Sequence, residues 1–157
     1  MATWMDAAEV RQRIEQWFAD SFGASPPAIR LDIGDEGETY RLVDPDWVDE
    51  QLRADPRVQP ALYQSGLYDC EDYAFAARSC IAYQSLVAAP APVAPPAFGV
   101  LVTRVHALNI GIDEQRKPWL LDVVTGVRWR QPTLTNALAD KLGDGWLRPA
   151  SVRYLFI

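Results

Sequence analysis

Histidine and cysteine are scarce in this 157-residue chain: one histidine, His106, and two cysteines, Cys70 and Cys80. A single histidine rules out most histidine-rich metal centres. With two cysteines on different turns, no recognisable zinc-ligand spacing remains. Both cysteines fall in one predicted helix, ten residues apart. At about 1.5 Å rise per residue their Cα atoms stand near ~15 Å apart, too far for a disulfide, which needs less than roughly 7 Å. They are therefore read as thiols.

Positive charge is also in deficit, with 15 Lys and Arg against 21 Asp and Glu and a formal charge of −6. Nucleic acid and anionic membrane surfaces both demand a positive field, so neither is expected as a partner. The densest basic run, Arg128-Trp129-Arg130, reads as a solvated strand end. No stretch approaches the roughly 20 apolar residues that span a membrane. The first residues, Met1 to Asp6, lack a basic segment followed by an apolar core, so a cytoplasmic location is expected.

What is present is ordinary for one globular domain over 1–157: 49% apolar and 23% charged residues, with six Trp, six Tyr and five Phe for the core. A first helix is signalled by Asp6 as cap, Glu9 three residues later, and Val10, Ile14, Trp17 and Phe18 on one face. Ile29–Ile33 and Thr39–Val43 alternate about Gly34–Gly37 and predict a hairpin whose acidic tip is polar surface, not a calcium loop. Asp44-Pro45 opens a second helix to about Ala54. A long helix begins at Tyr68-Asp69-Cys70-Glu71-Asp72 and reaches about Val87. The proline-rich run 88–97 reads as an extended connector. Beyond it come a β-type run over Phe98–Ile112, a turn at Asp113–Lys117, a strand over Pro118–Val124, a short helix over Leu134–Leu142 and a last strand over Val152–Ile157. Helices first and mainly antiparallel strands after predict an α+β domain.

A chemical constellation stands out of this layout. Cys70 lies where the long helix starts, a position at which the helix dipole lowers a thiol pKa. His106, the lone histidine, is the required base for any Cys–His mechanism. A hairpin folded about Asp113–Lys117 sets His106 and Asp122 on one sheet face, opposite or diagonal. Asp122 is a carboxylate in the otherwise apolar run Trp119–Val124, and such a group wants a partner. Gln64 is the nearest amide that could serve as an oxyanion donor.

Asp69-Cys70-Glu71-Asp72-Tyr73-Ala74, followed by His106 and Asp122, resembles the bacterial transglutaminase-like cysteine proteinases, some of which release biofilm adhesins. The likeness covers roughly Tyr68 to Gly126. It implies a papain-like or transglutaminase-like core, with the nucleophile helix packed on an antiparallel sheet. It further implies a cysteine hydrolase that cleaves a peptide or isopeptide amide of a protein substrate through an acyl-enzyme, with Cys70, His106 and Asp122 as a catalytic triad. No cofactor is required, although the resemblance places a calcium site at Asp69 and Glu71. Two alternatives stand beside it: a non-enzymatic binding or assembly module on the same scaffold, as in a phage or secretion apparatus, and an amide-transferring enzyme using the same three residues.

Overall fold

A computed structural model describes residues 4–22, 30–34, 37–59, 64, 67, 69–88, 94–104, 106–130 and 152–157. The predicted short helix over 134–142 lies outside these residues. A six-stranded sheet carries the order β2(Arg30–Asp32), β8(Val152–Phe156), β4(Phe98–Thr103), β5(Ala107–Ile112), β6(Pro118–Asp122), β7(Val127–Arg130). A separate two-stranded ribbon pairs β1(Trp4–Asp6) with β3(Thr39–Arg41).

Helices cover both sheet faces. The helix α1(Ala7–Phe22) contributes Val10, Ile14, Trp17 and Phe18 to a core shared with Leu101, Leu108, Ile110, Ile112 and Leu120. These strand residues alternate along β4, β5 and β6, as the period of two requires. The other face packs on α2(Pro45–Ala54) and α3(Cys70–Ala88): Val48, Leu52, Ala77 and Ile81 meet Phe98, Trp119 and Leu121. Because β4, β5 and β6 are buried on both sides, their sequences are apolar apart from Thr103, Asn109 and Asp122.

Local chemistry fixes where the helices begin. The Asp6 carboxylate accepts from the Glu9 amide at the start of α1. The Asp44 carboxylate accepts from the Asp46 and Trp47 amides ahead of Pro45, which needs no hydrogen bond at the first helical position. At α3, Asp69 accepts from the Glu71 amide while Asp72 reaches back to the Asp69 amide, a reciprocal cap.

Three expectations are corrected. The run over Phe98–Ile112 is two strands, β4 and β5, because the chain reverses where the Thr103 hydroxyl and amide bond to the His106 backbone. The hairpin drawn from Ile29–Ile33 and Thr39–Val43 does not form: β2 pairs with β8 in parallel and β3 pairs with β1. That parallel pair makes the sheet mixed, not antiparallel throughout, and α1 on its second face adds a helical layer that the resemblance did not imply.

Candidate functional site

Three elements converge at one end of the sheet. The helix α3 starts with Cys70, which packs beside Ala74, Val100, Val102 and Ala107. His106 immediately precedes β5, and its backbone is clamped by three hydrogen bonds to Thr103. Asp122 closes β6. Its Oδ1 accepts from the Val124 and Thr125 amides, so the same carboxylate caps the turn into β7.

The pairing read from strand parity is present. Asn109 faces Leu121 across the β5–β6 ladder, which leaves His106 diagonal to Asp122. The His106 Nε2 lies 3.3 Å from the Asp122 Oδ2, and the two side chains are 12% and 0% exposed. Burial pushes the Asp122 carboxyl up, but the His106 imidazole and the Thr125 hydroxyl and amide outweigh it and hold it below the usual carboxylate range.

The thiol behaves otherwise than expected. Burial pushes the Cys70 thiol above its ordinary value, and the carboxylates of Asp69 and Glu71 push it further. The Ala107 amide pulls the other way without prevailing. The helix N-terminus was expected to favour a thiolate, yet its acidic cap supplies the opposing field. Cys80 is buried in the middle of α3, and burial together with Asp55 pushes its thiol up to about 12.

The remaining predicted site residues are placed as follows. Gln64 is exposed, and its backbone carbonyl accepts from the Leu67 amide. Asp69 is engaged in the α3 cap. Among the described residues no three His, Cys, Asp or Glu side chains gather as a metal site would require. Arg128, read as part of a solvated strand end, instead lies 2.9 Å from Asp46 and 3.0 Å from Asp49, tying β7 to α2. No helix among the described residues is long and apolar enough to cross a membrane.

Sequence reasoning missed Asn109. It is fully buried in β5, and its Nδ2 donates to the carbonyls of Ala74 at 2.9 Å and Gly99 at 3.0 Å, stapling α3 to the sheet one turn beyond Cys70. A lone Asn within the apolar run Ala107–Ile112 was the available signal, since a buried amide needs partners.

No protein-family model matches the chain, and no curated protein matches it in sequence. Solved structures do match it. A PSL1a–E64 complex aligns with a TM-score of 0.73 at 13% identity, covering 99% of this chain and 51% of that one. The Polyporus squamosus lectin bound to the human-type influenza-binding epitope Neu5Aca2-6Galb1-4GlcNAc aligns with a TM-score of 0.69 at 12% identity, covering 99% of this chain and 50% of that one. The chain thus spans about half the length of these structures and shares its fold with that half.

The matched folds are those of PSL1a and of the Polyporus squamosus lectin, not of a transglutaminase-like proteinase, which corrects the family assignment, the papain-like core and the cysteine hydrolase drawn from it.

Proposed function

We propose that the chain is a non-enzymatic binding module for a glycan, received where α3 begins and β5 meets β6. The observation that carries this is the architecture shared with half of a lectin chain whose structure holds a sialylated trisaccharide. Fold alone does not assign function, so the reading also draws on the chemistry of the site.

His106 and Asp122 supply a polar pair whose geometry is fixed before any ligand arrives. The imidazole is held by Asp122 on one side and by the Thr103 turn through its backbone. Pre-set side chains lower the ordering cost of binding. Cys70, with its raised pKa, contributes a small, weakly polar wall beside them.

Titration calorimetry with the trisaccharide Neu5Aca2-6Galb1-4GlcNAc tests the proposal. Saturable binding is expected with a Kd on the order of 1 mM or tighter, about −4 kcal/mol or better. The substitution His106→Ala should weaken it at least tenfold, about 1.4 kcal/mol. An absence of heat for this and for other sialylated or neutral oligosaccharides would sink the glycan reading.

The calcium site at Asp69 and Glu71 rests on the family resemblance alone. Its measurement is a calcium titration of the wild type and Asp69→Ala, in which a heat lost on substitution would establish a site there.

A further inference from the structure

We infer that the cleft between α2, the 3₁₀ turn Pro56–Val58 and the β6–β7 turn is a subsite for one carboxylate-bearing unit with an apolar face. The cleft measures about 220 Å³. Drug-sized ligands occupy roughly 300 Å³ and more, so this space suits a single sugar or a short branched acid.

Its floor is apolar and firm, made by Leu52, Val58 and Leu121, all buried. Its rim is charged unevenly. The Asp49 carboxylate lies 3.0 Å from Arg128, a guanidinium it shares with Asp46. Arg53, exposed on the last turn of α2, has no ion pair among the described residues. The side-chain amide of Gln59 donates to the carbonyls of Arg53 and Asp55, which ties that part of the wall to the end of α2. The lining therefore carries a cation with no ion pair of its own among the described residues beside an apolar floor, on a chain whose formal charge is −6. A neutral ligand would leave that charge unused, whereas a carboxylate can bind it in a two-pronged fashion.

The opposite wall is the turn that Asp122 caps: Val123, Thr125 and Gly126 line the cleft, and the Asp122 Oδ1 accepts from the Thr125 amide. A ligand seated here would press on the turn that positions the His106 partner. The inference rests on the glycan reading only in the choice of an acidic sugar as one probe; the cleft's own chemistry asks for a small apolar carboxylate.

The test is a ¹H–¹⁵N NMR titration with isovalerate and with N-acetylneuraminic acid, each against uncharged N-acetylglucosamine. The amides of Leu52, Val58, Thr125 and Gly126 should shift saturably with the two acids and at least fivefold more weakly with the neutral sugar. The variant Arg53→Gln should lose at least fivefold in affinity for both acids while keeping its dispersed spectrum, since Arg53 is exposed. Equal responses to charged and neutral probes, or an unchanged Arg53→Gln, would overturn the inference. If N-acetylneuraminic acid moves only amides around His106 and Ala107, the cleft inference fails and the glycan reading stands. If isovalerate fills the cleft and no oligosaccharide binds anywhere, the glycan reading fails and the cleft inference stands.

Discussion

At the scale of single residues, three titratable side chains near α3 depart from their ordinary behaviour, each for an assignable reason. Asp122 has a folded-state pKa below the unfolded-state value of about 3.9. Its contribution to stability is therefore complete above the unfolded pKa and is lost as pH falls through the lower folded value. Replacement by Asn should cost about 1–3 kcal/mol at pH 7 and should flatten the loss of Tm in acid between about pH 5 and pH 2. An Asn variant with the wild-type acid slope would contradict the pairing with His106. Both thiols are pushed the other way, so at pH 7 iodoacetamide should label Cys70 more slowly than free cysteine, and Cys80 only after unfolding. Labelling of Cys70 faster than free cysteine would contradict the raised thiol. The His106–Asp122 pair was legible in the sequence because a carboxylate in an apolar strand and a lone histidine of matching parity point at each other. The thiol shift was not legible, because the burial of Cys70 depends on strands β4 and β5 packing beside it.

At the scale of elements, caps and glycines carry most of the definition. Asp44→Ala removes acceptors for two orphan amides of α2 and should cost about 1 kcal/mol in chemical denaturation; no change in midpoint would contradict the cap. Gly111 stands against the indole of Trp119, where an added Cβ would come within 2.5 Å of the ring. In the buried β5–β6 pair that ring has little room to retreat, so Gly111→Ala should cost about 1–3 kcal/mol, and a neutral result would contradict the tight packing. Asp44-Pro45 and the cap at Asp69–Asp72 were readable because capping is local chemistry. The reversal between β4 and β5 was not: no Gly, Pro or Asn marks it, and the side chain of Thr103 does the turning. The parallel pairing of β2 with β8 was equally hidden, since it joins opposite ends of the chain.

At the scale of the whole molecule, a six-stranded mixed sheet with helices on both faces aligns over 99% of its length with about half of a lectin chain. The letters of the Cys70 segment pointed to a hydrolase. The capping of α3 gives those acidic residues a structural role that requires no catalysis. We propose binding without thiol chemistry, and the two ligands named with the matching structures separate it from hydrolysis. The most direct measurement is intact-protein mass spectrometry after incubation with E64 at pH 7, with the trisaccharide present or absent. Both samples should keep the unmodified mass; a single covalent addition mapping to Cys70 would contradict binding without thiol chemistry.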